Sequence, residues 1–484
     1  MNTFSKNLKS IIWVVIVVIT LFEYQPVFAQ KRENNKPNII YIFTDQQHAN
    51  MMSCAGNKWL KTPAMDYIAE NGVRFTRAYC ANPVCVPSRI SMMTGRFAGE
   101  FKDVNGKRVR ENEGGSFNFS EESLSPEARN STLPAYLKKA GYDLYYGGKT
   151  HLPKPLMPRQ SGFNIISTDE RDQLASDAAN FLKQKHDKPF YLTLSFINPH
   201  DICYMALLDN SSPEIKAKIR KGAIKQLDAL NRALQLPEGV SKDEFFSQYC
   251  PPLPANFAPP EDEPKAIKKM LEIRDFRIKA RENYTEEQWR MHRWAYARLT
   301  EEVDRQIQVV LDALKESGQL ENTLVIFSSD HGDMDATHRM EHKNALNEES
   351  AGIPFMVMWK DRIEGGRVDS THLISNGLDL LPTVCDYAGI KAVADPRGLS
   401  IRPLLEGKKV NWRKTLGVET EMGYMVVSHD GFKYMRYDWL GREERLIDLN
   451  KDPYETRYFT NEASHSKVLV GLRKSFDKEW FPNY

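Results

Sequence analysis

Three apolar runs along the chain have the length of a buried strand, and acid, amide or imidazole side chains follow each of them. The runs, each with its polar segment, are 38–43 with 44–47, 190–197 with 198–201, and 323–327 with 328–332. Continuous apolar runs are typical of strands that are buried on both faces of a parallel sheet. Open α/β sheets hold their sites at the carboxyl ends of such strands. The pattern therefore predicts parallel strands whose polar ends meet at one site.

Between these runs the apolar spacing changes to that of amphipathic helices. The segments Met65–Asn71, Leu133–Ala140 and Met291–Ser317 repeat apolar residues at i, i+3 and i+4, with charged residues between them. Strand and helix alternate over about 350 residues, which indicates a mostly parallel sheet covered by helices on both faces. The sequence therefore predicts an α/β fold.

Two regions depart from this alternation. Residues 205–290 are charged, helix-prone and interrupted by two proline-rich stretches, and we interpret them as a helical insertion near the site. Segments 431–437 and 445–449 alternate apolar and polar residues, which predicts a small antiparallel sheet. We therefore expect a catalytic α/β domain over 37–384, which includes the insertion, and a C-terminal α+β subdomain over 385–484.

The N-terminus carries a basic segment followed by the apolar run Ile11–Phe22, and the small residue Ala29 follows a few positions later. This order is typical of a secretory signal peptide. The run is shorter than the ~20 residues that a membrane span needs. We predict a signal peptide over 1–29, a polar leader over 30–36, and an exported protein, periplasmic or secreted, with no stable membrane insertion after cleavage.

Composition narrows the function further. The 484 residues are 41% hydrophobic and 27% charged, with a formal net charge of +2. So balanced a chain gives no electrostatic case for binding nucleic acid, and its mean hydropathy of −0.53 excludes a protein with many membrane spans. Six cysteines are too few for a disulfide framework, and the sequence assigns no pairing among them. An enzyme is the expected class.

The most specific motif lies at 82–96, where Cys85-Val86-Pro87-Ser88-Arg89 is followed by Thr94-Gly95-Arg96. Cys-x-Pro-Ser-Arg with Thr-Gly-Arg resembles the signature of the type I sulfatases, which belong to the alkaline phosphatase superfamily. Further landmarks of that family follow in family order along almost the whole chain after residue 36: 37–46, 141–151, 199–200, 330–332, Lys343, 379–383 and 448–455. The resemblance, to bacterial carbohydrate sulfatases in particular, implies an alkaline-phosphatase-like fold. That fold has a large mixed, mostly parallel sheet between helices, with a smaller C-terminal antiparallel sheet.

The resemblance also implies a modified nucleophile. In this family a separate maturation enzyme oxidises the cysteine that corresponds to Cys85 to formylglycine (3-oxoalanine). One hydroxyl of the hydrated aldehyde attacks the sulfur of a sulfate ester, and deprotonation of the other hydroxyl expels sulfate and restores the aldehyde. Such chemistry also needs a divalent cation, fixed positive groups and a proton for the leaving alcohol.

The resemblance implies calcium as that cation, one per chain, and oxygen-rich coordination agrees with it. Its implied ligands are an oxygen of the modified Cys85 and the side chains of Asp45, Gln46, Asp330 and His331. The commonest family pattern has Asp at position 46 and Asn at position 331. Glutamine still offers a carbonyl oxygen, whereas imidazole is a poorer calcium ligand. Whether His331 binds the metal directly or lies beside it stays open at this point.

The resemblance gives five basic residues further roles. Arg89 would hold the diol oxygen that faces the metal, and Lys149 would bind the diol and the sulfate. His151, which an extended segment would project on the same side as Lys149, is the candidate base. His200 and Lys343 would bind the sulfate from the other side. We expect His200 to protonate the leaving oxygen, because an ordinary imidazole pKa lies near the operating pH.

Five polar residues near these groups in the sequence are expected to contact sugar hydroxyls: Asp201, His338, His342, Asn344 and Glu348. The leading hypothesis is an exported sulfatase that acts on sulfated saccharides such as glycosaminoglycan-type fragments. A phosphonate monoester or phosphodiester hydrolase shares the cysteine motif, and choline sulfatase is a further relative. A non-catalytic glycan-binding homologue would be expected to have a broken nucleophile or metal motif, and here both motifs are complete.

Overall fold

The computed structural model describes residues 36–111, 118–392 and 395–482, and its centre is a mixed sheet of eight strands. The signal peptide and most of the polar leader predicted above lie outside the described residues. Within the described residues, the strands of this sheet and of two smaller sheets, one of which pairs β3 with β10, are numbered together in chain order. They are β1 (Asn38–Asp45), β2 (Gly72–Phe75), β3 (Ala78–Tyr79), β4 (Asp143–Gly148), β5 (Asn164–Ser167), β6 (Phe190–Pro199), β7 (Thr323–Ser329), β8 (Phe355–Met358), β9 (Arg367–Asp369), β10 (Ile374–Ser375), β11 (Thr415–Glu419), β12 (Gly423–Ser428), β13 (Phe432–Tyr437) and β14 (Glu443–Asp448).

The order of strands in the large sheet is β5-β4-β6-β1-β7-β8-β2-β9. Five of its seven neighbouring pairs are parallel, and β8 runs antiparallel to both β7 and β2. The three apolar runs of the sequence are β1, β6 and β7, which lie side by side at the centre. This confirms the prediction of a large, mostly parallel sheet.

Helices cover both faces of this sheet because the side chains of a strand alternate between its faces. Ile39, Tyr41 and Phe43 of β1 belong to one apolar cluster, and Ile40 and Ile42 belong to another. The α-helices are Pro63–Glu70, Cys85–Thr94, Pro126–Asn130, Leu133–Lys139, Pro158–Ser161, Leu174–Leu182, Cys203–Asn210, Pro213–Gly222, Ile224–Ala233, Lys242–Glu244, Lys265–Ile273, Asp275–Asn283, Glu286–Glu316, Glu348–Ala351, Asn376–Tyr387, Arg402–Leu405 and Ser466–Ser475. In the part of the chain that the structure describes, none of the helices is long and apolar enough to cross a bilayer.

The C-terminal part forms the predicted antiparallel sheet, in which β11, β12, β13 and β14 pair in chain order. Its apolar face shares one continuous core with the first face of the large sheet. The predicted boundary between 384 and 385 falls inside the helix Asn376–Tyr387. All six cysteines are free thiols.

Candidate active site

The strand register brings the polar strand ends together. Asp45 at the end of β1 pairs with Pro199 of β6, and Thr44 pairs with Ser329 of β7. His200 therefore follows directly on one side of Asp45, and Asp330 follows on the other. The next strand, β4, ends at Gly148, so that Lys149 enters the same edge of the sheet. The polar ends of these strands therefore lie together at one edge of the sheet, which is the geometry that a shared site requires.

Cys85 is the first residue of the helix Cys85–Thr94 and is buried at the centre of this edge. Its Sγ lies 2.9 Å from Lys343 Nζ, 3.1 Å from His331 Nε2 and 3.7 Å from Asp45 Oδ1. Burial and the Asp45 carboxylate act to raise the thiol pKa. The charges of Lys343, Lys149 and His331 outweigh them and hold the pKa of Cys85 well below its ordinary value.

Four buried side chains form a group that could hold a metal ion: Asp45, Cys85, Asp330 and His331. Their ligand atoms all lie within 4.8 Å of one another. The Nδ1 of His331 lies 2.8 Å from the Gly332 carbonyl oxygen, so this nitrogen carries a hydrogen, and Nε2 faces the group and offers it a lone pair when the imidazole is neutral. Two carboxylates, an imidazole nitrogen and a group at position 85 are a donor set that fits a divalent cation.

Arg89 holds the two carboxylates of this group. Its Nη2 donates to Asp45 Oδ2 at 2.8 Å, and its Nε donates to Asp330 Oδ2 at 2.9 Å. Its Nη1 donates to Ser195 Oγ at 2.9 Å, and the Phe43 ring lies under the guanidinium. A fully buried arginine in this position neutralises the negative charge of the two carboxylates and also fixes where their oxygens lie. The guanidinium therefore positions the carboxylates.

The two carboxylates differ in their electrostatic environment. Burial opposes the ionisation of Asp45, but Lys149, whose Nζ lies 2.7 Å away, together with His200 and Arg89 holds the pKa of Asp45 well below its usual range. Burial and the neighbouring Asp45 raise the pKa of Asp330 to about 6. Crowded buried carboxylates of this kind are stabilised by a bound cation.

Gln46 lies beside the group with its side chain held by other residues. Its backbone N–H donates to Asp330 Oδ1 at 3.2 Å, and its Oε1 accepts a hydrogen bond from Lys343 Nζ at 3.0 Å. Its Nε2 donates to Asp333 Oδ2 at 2.6 Å. Asp333 is not among the residues predicted from the sequence, although it follows the Asp330-His331-Gly332 motif directly.

His200 is half-buried at the mouth of the site. Burial first, and then the positive charge of Lys149, hold the pKa of His200 well below its ordinary value. The expectation that this pKa stays near its ordinary value is therefore wrong, because it took no account of burial. Among the described residues, no group hydrogen-bonds to the buried Nδ1 of His200.

His151 does not continue an extended segment. The strand β4 ends at Gly148, which has φ 91°, and His151 itself has φ 40° and is exposed. The expectation that its side chain projects beside that of Lys149 from an extended segment is wrong for this reason. Lys149 reaches Asp45, whereas His151 lies at the surface of the loop.

The five predicted sugar-contacting residues are held in contacts within the protein. The Asp201 carboxylate forms a two-pronged ion pair with Arg171, whose Nη2 lies 2.6 Å from Oδ1. Glu348 accepts hydrogen bonds from Tyr79 and Lys433. The same holds for the remaining three: His338 contacts the Ala258 carbonyl, His342 contacts Glu341, and Asn344 contacts Glu421. The spacing of these residues along the chain does not indicate their partners.

The chain is similar in sequence and in fold to known sulfatases. Residues 37–390 match the family model described as Sulfatase, and residues 336–480 match the model described as N-sulphoglucosamine sulphohydrolase, C-terminal. The chain is 27% identical over 475 residues to the Delta 4,5-hexuronate-2-O-sulfatase of Bacteroides thetaiotaomicron, covering 93% of this chain and 90% of that protein. It is 26% identical over 522 residues to the N-acetylglucosamine-6-O-sulfatase of the same organism, covering 94% and 88%. The solved structure of a 2-O GAG sulfatase is similar with a TM-score of 0.71, at 25% identity over 92% of this chain and 91% of that chain.

Proposed function

Because this chain belongs to the sulfatase family and is a sulfuric ester hydrolase, we propose that it hydrolyses sulfate esters of carbohydrates through a formylglycine made from Cys85. Glycosaminoglycan-type or other sulfated glycan fragments are the proposed substrates. The observation that carries the proposal is the convergence of Lys343, His331 and Asp45 on the Sγ of Cys85. The similarity to two carbohydrate sulfatases and to the N-sulphoglucosamine sulphohydrolase model supports the substrate class.

We propose that Asp45, Gln46, Asp330, His331 and an oxygen at position 85 hold a divalent cation, and that the cation is calcium. The carboxylate oxygens suit a hard cation, and Arg89 keeps them in place. The aim of His331 Nε2 into the group supports direct ligation by the imidazole. When bound, the cation supplies positive charge to the sulfuryl oxygens as the S–O bond breaks.

The basic side chains around Cys85 bind the sulfate group. Lys343 contacts Sγ from the interior, and Lys149 lies at the half-exposed side, so a sulfate ester at Cys85 lies between two ammonium groups. Its negative charge raises the pKa of the adjacent His200 and favours protonation of that imidazole. His200 then donates its proton to the leaving alcohol oxygen.

The maturation enzyme is the proposed transient partner. The Cys85 side chain is 2% exposed in the folded chain, so an enzyme that oxidises the thiol must act on an unfolded segment. Export through the predicted signal peptide over 1–29, to the periplasm or outside the cell, completes the proposal. A mature protein whose N-terminal residue is Gln30 is the result expected from N-terminal sequencing.

The mass of the tryptic peptide Ala78–Arg89 tests the nucleophile. We expect an aldehyde in place of the Cys85 thiol, together with activity that rises in proportion to the converted fraction. Activity that is independent of conversion would contradict the formylglycine mechanism.

A matched pair of aryl sulfate and aryl phosphonate substrates tests the reaction class. Faster hydrolysis of the phosphonate by the converted protein would favour the alternative hypothesis of a phosphonate monoester or phosphodiester hydrolase.

A further inference from the structure

Asp333 is a buried carboxylate at the site for which the proposed mechanism has no role. It is fully buried, and both of its oxygens accept short hydrogen bonds. Oδ2 accepts from Gln46 Nε2 at 2.6 Å, and Oδ1 accepts from the Asp335 backbone N–H at 2.7 Å. A carboxylate is costly to bury, and these two donors offset the cost.

The contact with Gln46 selects one of two orientations of an amide. A glutamine side chain has a donor end and an acceptor end of nearly equal size. An ionised carboxylate only accepts, so Asp333 holds the donor end, Nε2. The acceptor end, Oε1, therefore turns to the other side, where Lys343 Nζ lies 3.0 Å away and in turn contacts Cys85 Sγ at 2.9 Å.

The orientation matters because only the acceptor end can face positive charge. A carbonyl oxygen binds a hard cation and accepts from an ammonium group, whereas an amide NH₂ repels both. The backbone of Gln46 is fixed independently, since Tyr296 donates to its carbonyl oxygen at 2.6 Å and φ is 72°. The remaining freedom is the rotation of the amide. Asp333 restricts this rotation at the donor end and Lys343 restricts it at the acceptor end, whereas the Cys203 thiol contacts both ends and selects neither orientation.

We propose that Asp333 is a positioning residue that orients the Gln46 amide, so that Oε1 faces the metal-binding group and holds Lys343 against Cys85. The inference rests on the proposed metal-dependent function. Its effect is transmitted through Gln46, and this distinguishes it from a general contribution of a buried carboxylate to folding.

A double-mutant cycle read out by Ca²⁺ binding tests the proposal. Isothermal titration calorimetry measures the Ca²⁺ affinity of the wild type, Asp333→Ala, Gln46→Leu and the double variant. We expect Asp333→Ala to weaken Ca²⁺ binding about 10–100-fold in the wild-type background. The Gln46→Leu background has no amide to orient, so there we expect Asp333→Ala to change the Ca²⁺ affinity by less than about threefold. Equal losses in the two backgrounds, or no loss in either, would overturn the proposal.

Two further variants keep the test decisive. Asp333→Asn preserves the shape of the side chain but offers one acceptor to two donors, so a loss in the same direction is expected if the alanine variant does not fold. Asp304→Asn is the matched control, because Asp304 is a buried carboxylate that accepts from the Ala64 and Met65 backbone at the start of a distant helix. It should lower the melting temperature and leave Ca²⁺ affinity unchanged. A wild type that binds no Ca²⁺ would overturn the proposed calcium site itself, which is a different result from an unchanged affinity in Asp333→Ala.

Discussion

The Nζ of Lys343 lies 2.9 Å from the Sγ of Cys85, although 258 residues separate the two in the chain. The lysine comes from the loop after β7, and the cysteine begins the helix Cys85–Thr94. This contact places a buried positive charge where the sulfate group would be attacked. The ammonium group of Lys343 is therefore in direct contact with the proposed nucleophile.

Replacing this charge should slow the reaction strongly. Lys343→Met keeps the length of the apolar stem and removes the ammonium group, so we expect kcat/KM for a sulfate ester to fall about 10²–10³-fold. Steady-state kinetics with equal formylglycine content in both proteins check this. A kcat/KM within about threefold of the wild type would contradict the role of Lys343.

Arg89→Lys should weaken both the fold and the metal site. A lysine ammonium is a single point charge, whereas the guanidinium donates to Asp45 and Asp330 at the same time. Asp45 keeps its ion pair with Lys149, so Asp330 is the carboxylate that loses its guanidinium partner, and breaking a buried ion pair costs about 3–5 kcal/mol. Urea unfolding should show a loss of this size, and saturating Ca²⁺ should reduce it, because the cation neutralises the same carboxylates. Unchanged stability without Ca²⁺ would refute the prediction.

His200→Gln should affect substrates according to their leaving group. A sugar alkoxide needs a proton as it leaves, so we expect kcat on a saccharide sulfate to fall about 10²–10⁴-fold. A nitrophenolate leaves without one, so kcat on nitrophenyl sulfate should fall much less. Equal losses on the two substrates would assign His200 to binding rather than to proton donation.

The stability of the fold should depend on pH through Glu419. Burial raises the pKa of this carboxyl to about 7 from an ordinary value of 4.5, with the nearby Arg110 opposing the shift. Between these two pH values the folded chain holds the proton more tightly than the unfolded chain. Stability therefore falls as pH rises from 4.5 through 7, by about 3 kcal/mol in total.

Glu419→Gln removes this titration and keeps an acceptor for the Gly99 backbone N–H. The free energy of unfolding of the variant, relative to the wild type, should rise between pH 5 and pH 8 in urea titrations. The exposed Glu122→Gln variant serves as the control and should show no such trend. A constant difference between Glu419→Gln and the wild type would contradict the prediction.

Much of the fold followed from local sequence pattern, because a buried central strand is marked by an uninterrupted apolar run. Such runs predict β1, β6 and β7, whereas the helical spacing of apolar residues over Met291–Ser317 predicts the long helix Glu286–Glu316. The short edge strands were not predicted, because β9 has only three residues and carries no such run. Element type is encoded locally, whereas edge pairing depends on the rest of the sheet.

In the site, too, residues within a motif are predictable from the sequence, whereas contacts between distant residues are not. Asp45, Asp330 and Cys85 were predicted because each lies in a motif at the end or start of an element. The pairing of Asp201 with Arg171 was not, since an ion pair leaves no mark on the spacing of either residue. The lowered pKa of His200 likewise arises from burial and from Lys149, which only the folded chain brings together.

Cys85 is the proposed source of the nucleophile in a carbohydrate sulfatase. The release of free sulfate from a panel of defined sulfated saccharides, with Cys85→Ala as the blank, measures this role. We expect release from at least one saccharide by the wild type and none by the variant, with both proteins folded. Release by Cys85→Ala at the wild-type rate, or no release from any saccharide by a fully converted wild type, would contradict this role.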